Sequence, residues 1–387
     1  MENVFPYTVS YGANTLGFFR CFYRFGGVIE WIYAVVISDV PDNSRAVESR
    51  QSLKTGTRRR MLDINRVGVV IIGRNEGTRL VRCLASLTAQ LAQLVYVDSG
   101  STDDSVNAAR SVGADVVALD MTVPFTAARA RNEGFERMRI LYPNAEYVQF
   151  LDGDCEVSPE WLKSAANFLD TNLAVAAVCG RLRERFPEKT VYNMLCDMEW
   201  DTPIGEAKAC GGNVLMRVDA FEDVHGFRPD LIAGEEPELC VRLRASGWKI
   251  WRLDQEMALH DAAITRFGQW WRRTLRGGYA YAEGAHLHGR PPERHRVRES
   301  RRVWIWGLGI PVATIGLTVW LGAWGLALPL IYPMQVIRLA LRGTRSVKQN
   351  WWRALFLVLG KFSEVIGQLK FVYNKLAGKT THLIEYK

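Results

Sequence analysis

The sequence has no CxxC pair, and its cysteines are few and odd in number: Cys21, Cys83, Cys155, Cys179, Cys196, Cys210 and Cys240. That spacing excludes a zinc ribbon and argues against a disulfide framework; it fits reduced, buried thiols in a cytosolic domain. The first 60 residues lack an unbroken apolar run. Gly26 to Ile37 is apolar and aromatic, but Glu30 interrupts it and it is too short to cross a bilayer comfortably. It carries no small-residue cleavage site, so a secretory signal peptide is not expected. Disorder over most of the chain is excluded by a composition that is 48% hydrophobic and 23% charged. Nucleic acid is not an expected partner. The net charge is +8, but the basic residues crowd into Arg290 to Arg302, directly before a long apolar run, as at a membrane surface.

Four regions follow. Residues 1–60 read as an N-terminal extension, interfacial or dispensable, with a polar linker over 42–60. Met61, after Arg58-Arg59-Arg60, is the expected start of translation. Residues 61–290 read as the catalytic domain, 291–345 as a basic segment and a membrane helical hairpin, and 346–387 as an amphipathic C-terminal helix.

The catalytic region alternates strand and helix patterns. Val67–Ile72, Leu94–Val97, Asp115–Leu119 and Tyr147–Leu151 read as strands; residues 78–90, 103–112 and 127–141 have helical spacing. That order predicts an α/β fold, a mostly parallel sheet with helices on both faces. Such sheets bind ligands beyond the carboxyl ends of their strands.

The apolar run from Val303 to Pro333 exceeds the roughly 20 residues of one upright span. Pro311, Gly316, Gly322 and Pro329 divide it, with arginines on both flanks: 298, 301 and 302 before it, 338, 342 and 345 after it. Two short membrane helices or a re-entrant hairpin fit, with both ends on the cytoplasmic side. Leu355, Leu359, Phe362, Ile366, Leu369 and Val372 then recur at helical spacing. That helix can lie on a bilayer or pack on the catalytic domain.

The strand ends hold the chemistry. Asp152-Gly153-Asp154 places two carboxylates after an apolar strand, with a glycine that permits a bend between them. Such a pair suits Mg²⁺ or Mn²⁺ bridging a diphosphate. Asp98, ending its strand before Ser99-Gly100-Ser101, can accept hydrogen bonds from a base or ribose; the same serine, threonine and aspartate residues can also merely cap a helix. Glu235-Glu236 open a helix, either as dipole-favoured acids or as a source of a general base. His260 stands alone near Asp261. Gln269-Trp270-Trp271-Arg272-Arg273 mixes indoles and cations, which suits a diphosphate or sugar as well as a membrane interface.

Six segments in order resemble family 2 glycosyltransferases of the inverting GT-A type: Asn75-Glu76, VDSGSTDDS at 97–105, ARARNEG at 128–134, LDGD at 151–154, GGNVLMR at 211–217 and GEEPELCVRLRASGW at 234–248. The resemblance covers roughly residues 67–275. It implies a nucleotide-diphosphate sugar donor, a divalent cation (Mg or Mn) and transfer to an acceptor hydroxyl. That acceptor is expected to be lipid-linked or a growing glycan, as in polysaccharide biosynthesis. The expected location is the inner membrane, with the catalytic domain in the cytoplasm. Asn75, Glu76, Asp98, Arg131 and Asp152 fall at its nucleotide-contacting positions. Asp152 and Asp154 match its DXD motif, with Asp154 the direct metal ligand and His260 at an additional metal or diphosphate position. Gly211, Gly212, Asn213, Arg272 and Arg273 fall in its donor and acceptor pocket. Glu236 stands where the usual Asp base is found, with Glu235 as second candidate. Gln269 to Arg273 resembles the QxxRW motif of processive synthases, but Arg273 replaces the tryptophan, so processivity is not inferred. Two alternatives remain. One is a non-catalytic nucleotide-sugar-binding membrane scaffold. The other is a sugar nucleotidyltransferase, whose GxGTRL loop Gly77-Thr78-Arg79-Leu80 superficially resembles.

Overall fold

The computed structural model describes residues 7–11, 14–18, 66–88 and 93–378. The chain divides into two units after Met61. In the first, β1 (Tyr7–Tyr11) and β2 (Asn14–Phe18) form an antiparallel pair. The apolar segment 26–37, the linker 42–60 and the start at Met61 lie outside the described residues.

The second unit begins with β3 (Val67–Gly73), a run of β-branched residues buried on both faces. Helix α1 (Thr78–Thr88) buries Leu80, Cys83, Leu84 and Leu87, one stripe at helical spacing. Then come β4 (Leu94–Asp98), α2 (Ser105–Ser111), β5 (Asp115–Ala118), α3 (Ala127–Leu141) and β6 (Tyr147–Asp152). The four strands pair in parallel in the order β5-β4-β3-β6. Their register decides where the site can form. Gly73 pairs with Asp98, and Ile72 pairs with Asp152, so the polar strand ends meet along one edge.

The sheet continues as β10-β8-β11-β7, with β9 paired to β11. These are β7 (Cys155–Val157), β8 (Val175–Glu184), β9 (Gly205–Glu206), β10 (Val214–Arg217) and β11 (Lys249–His260). Antiparallel β10 separates the parallel half from the rest. In the β11–β7 pair His260 lies opposite Cys155, which carries the far end of β11 back beside Asp154. Two cores cover the two faces. One holds α1 and α4 (Trp161–Thr171); the other holds α3, α6 (Val218–Asp223) and α7 (Glu235–Ala245). A side chain at Gly134 would strike Val70 and Val97, so glycine there lets α3 sit close on the sheet.

Helix α5 (Val191–Trp200) precedes this second core, and α8 (Phe267–His288) follows the sheet. Trp270 is buried between Tyr192 and Phe356, a core position, so it is not at a membrane interface. Helix α9 (Val297–Val303), a π-helical turn (Trp304–Gly309), α10 (Ile310–Leu321), a 3-10 stretch (Gly322–Leu330) and α11 (Ile331–Leu341) follow without a break. This run is long and apolar enough to cross a membrane. It is not one straight rod. The Tyr332 hydroxyl donates to the Trp306 carbonyl at 2.6 Å, and the two rings meet at 5.9 Å. A straight helix would hold residues 26 apart at about 39 Å. The chain therefore folds back at Gly322, whose φ of +63° a side chain would resist. The result is a helical hairpin whose tip residues Val319, Trp320 and Trp324 are exposed.

Helix α12 (Val347–Leu376) packs along α8, so the packing alternative raised for this segment is realised. Gly278 lies against the backbone of Glu364 and Gly367 against that of Leu275, and Ser363 Oγ donates to the Trp271 carbonyl at 2.6 Å. Glycines at the crossing bring the two backbones together.

Candidate active site

A cleft of about 1260 Å³ opens at the carboxyl edge of β3, β4 and β6 and runs between α7, α8 and α12. Its floor is the end of β6. The Asp152 N–H donates to Asn213 Oδ1 at 2.9 Å, which pins the strand end to the 211–213 segment. Asp152 Oδ1 accepts from Arg131 Nη2 at 2.8 Å, and Glu235 Oε1 accepts from Arg131 Nη1 at 2.7 Å. Arg131 is 3% exposed. Burial opposes its charge, but Asp152 and Glu235 outweigh that and push its pKa up. A Cβ on Gly212 would lie 2.5 Å from Arg131 Nη2, so glycine at 212 leaves the guanidinium its place. The sequence put Arg131 and Asp152 at nucleotide-contacting positions and Gly212 and Asn213 in the donor and acceptor pocket. Hydrogen bonds join Arg131, Asp152 and Asn213, Gly212 packs against Arg131, and Gly211 stands beside them at a positive φ.

Asp154 takes a different partner. His260 Nε2 lies 3.1 Å from Asp154 Oδ1. With Cys155 Sγ these form a group whose donor atoms all lie within 4.8 Å of one another. His260 Nδ1 has no hydrogen-bond partner among the described residues, and the Trp200 ring stands edge-on to the imidazole at 4.6 Å. A carboxylate and an imidazole suit a divalent cation such as Mn²⁺; the buried thiol is the softer donor.

The two glutamates part company. Gly234, at φ +78°, starts α7. Glu235 then faces the cleft, where burial raises its pKa but Arg131 and Arg276 pull it lower still, below the ordinary range. Glu236 faces inward. It is 1% exposed, its two oxygens accept the N–H groups of Cys210 and Gly211 at 2.8 Å each, and burial pushes its pKa up. It does not line the cleft. Glu236 thus holds the Cys210–Gly211 backbone, and Glu235 is the one of the two that lines the cleft.

Asp98 closes on its own turn. It is buried, its Oδ2 accepts from the N–H of Gly100 and Ser101 at 3.1 and 2.9 Å, and Tyr96 donates to its Oδ1 at 3.2 Å. The carboxylate shapes the turn, and the next residue, Ser99, lines the cleft. Asn75 and Glu76 do line it. Asn75, at φ +54°, accepts the Thr102 N–H at 2.7 Å, and Glu76 pairs with Arg79 at 2.8 Å.

On α8, Arg272 points to solvent, away from the cleft, against expectation. Arg273 lines the cleft and grips Glu199 with two bonds of 2.9 and 3.1 Å. Arg276, which sequence reading missed, lines the cleft and acts on Glu235. Its signal was its position three residues after Arg273, on the same helical face.

Known proteins bear on this geometry. Residues 68–224 match the family described as Glycosyl transferase family 2, and residues 194–263 match a profile described as the N-terminal domain of galactosyltransferase. The glycosyltransferase AglE of Haloferax volcanii is 24% identical over 225 residues, which cover 55% of this chain and 71% of that protein. The pre-mycofactocin glycosyltransferase of Mycobacterium tuberculosis is 26% identical over 230 residues, 55% of this chain, and the match spans only 46% of that protein. Among solved structures, the mannosyltransferase PcManGT from Pyrobaculum calidifontis, in complex with GDP-Man and Mn²⁺, superposes with a TM-score of 0.51 at 18% identity, over 80% of this chain and 88% of that one. That likeness speaks to the fold.

Proposed function

We propose that this chain, whose residues 68–224 match family 2 of the glycosyltransferases, transfers a sugar from a nucleotide-diphosphate donor to an acceptor hydroxyl with inversion, using Glu235 as base. The observation that carries this reading is Arg131 bridging Asp152 and Glu235 at one end of the cleft, with Asp154 and His260 adjoining. Glu235, kept ionised by Arg131 and Arg276, takes the proton from the acceptor oxygen as that oxygen attacks the anomeric carbon. The bond from that carbon to the diphosphate breaks, and the nucleoside diphosphate leaves. Arg131 and Arg276 supply fixed positive charge on that side. Asp154 and His260 are the residues that fit a divalent cation, which when bound supplies charge against the leaving diphosphate. The like-folded mannosyltransferase holds GDP-Man and Mn²⁺, and only the ligand class, not the sugar, is carried over.

The acceptor we propose is lipid-linked, a polysaccharide or glycan precursor at the cytoplasmic face of the inner membrane. The exposed apolar hairpin with arginines at its base supports it. A panel of nucleotide sugars, scored with Mn²⁺ by thermal shift and by donor hydrolysis, tests the donor half. Stabilisation and slow hydrolysis by one donor are expected. No response to any donor would count against the reading.

A further inference from the structure

Helix α12 uses two of its sides within the protein. Gly360, Ser363 and Gly367 face α8, and Val365 packs on Gly307 at the hairpin base. A third side is left over. Trp351, Leu355, Ile366, Leu369, Tyr373 and Leu376 are each between 41% and 83% exposed. At 100° per residue they fall within about 80° of arc. Phe362 lies on the same stripe and packs on Tyr332 at 5.3 Å, which joins the stripe to the hairpin. The 30-residue helix is about 45 Å long, and the exposed positions fall near both of its ends, with Val358 buried and Phe362 half-buried between them. A soluble surface seldom leaves such a stripe bare.

We infer that α12 lies flat in the headgroup region of an anionic bilayer, as a wall shared between the membrane and the active-site cleft. This rests on the membrane reading proposed above and adds an orientation to it. Charge supports a lipid occupant: Lys348 and Lys370 border the stripe, and Arg298, Arg301, Arg302 and Arg342 ring the neighbouring hairpin base, where an anionic headgroup layer would meet them. The cleft side of the same helix presents Arg353, Phe356, Gly360 and Glu364. One helix diameter, about 10 Å, therefore separates the bilayer surface from the cleft. An acceptor that reaches Glu235 from the membrane must carry a headgroup of that length between its lipid tail and its reacting hydroxyl.

The test uses the full chain with Cys21→Ser and Cys210→Ser; Cys83, Cys155, Cys179, Cys196 and Cys240 are buried. A polarity-sensitive fluorophore is attached at Ile366→Cys, at Leu369→Cys, or at Arg110→Cys on the exposed face of α2, in mixed phosphatidylcholine–phosphatidylglycerol vesicles. Two positions on the stripe guard against a label that disturbs folding. Quenching by a shallow nitroxide lipid is expected to be at least about threefold stronger at 366 and 369 than at 110, with the order reversed for an aqueous quencher. Equal aqueous quenching at all three sites, on protein that remains vesicle-bound, overturns the interfacial helix and leaves the hairpin reading intact. Shielding of 366 and 369 from both quenchers means that a protein, such as a second copy of this chain, covers the stripe, and it too overturns the inference. Protein that does not associate with vesicles removes the membrane reading and the inference together.

Discussion

Arg131 and Glu235 are held 2.7 Å apart in the wall of the cleft, while the neighbouring Glu236 turns inward to anchor the Cys210–Gly211 backbone. One residue of helix phase separates a carboxylate that lines the cleft from one that does not.

Removing Arg131 strands Glu235 without its partner in a buried site. Arg131→Ala is expected to lose about 3–5 kcal/mol of stability, measured by urea unfolding. Arg131→Lys cannot make both bonds from one ammonium and is expected to retain fold better than activity. Gly212→Ala should mimic it, because the added methyl meets Arg131 Nη2.

Asp154 and His260 predict a cation site independent of turnover. Mn²⁺ binding by titration calorimetry should weaken at least about tenfold in His260→Ala and in Asp154→Asn, roughly 1.4 kcal/mol or more each. Unchanged Mn²⁺ affinity in both would remove the site.

Glu283 gives a pH signature. It lines the cleft with its carboxyl pushed up to about 7, by burial first and by Asp230 next. The folded state therefore holds a proton that the unfolded chain releases in the ordinary glutamate range. Stability must fall as pH rises from about 4.5 to 7, by on the order of 1–2 kcal/mol after allowance for solvent screening. Glu283→Gln should flatten the change in unfolding free energy between pH 5 and pH 8. An unchanged slope would contradict the assignment.

Much of the fold was legible because the physics there is local. The β-branched run 67–72 and the apolar spacing of Leu80, Leu84 and Leu87 state their elements outright, and the strand ends then locate the cleft. What was not legible depends on orientation. Which of Glu235 and Glu236 faces the cleft is set by the left-handed start at Gly234 and by two backbone N–H groups 25 and 26 residues upstream. Asp98 matches a binding motif, yet its hydrogen bonds close on its own turn. Arg272 and Arg276 differ only in helix face, and α8 acquires its facing from α12, far along the chain. The hairpin's apolar length was readable, but its reversal point became definite only through Trp306 and Tyr332.

The central claim is that Glu235, and not Glu236, removes the acceptor proton. Its most direct test compares Glu235→Gln and Glu236→Gln by transfer rate and thermal stability, with the donor and Mn²⁺ at saturation. Glu235→Gln should lower the transfer rate by about 10²–10⁴-fold with donor binding retained. Glu236→Gln should act mainly on stability, by about 1–3 kcal/mol, because an amide nitrogen then faces a backbone N–H. The reverse pattern, a near-normal rate in Glu235→Gln and a stable but inactive Glu236→Gln, would contradict the account.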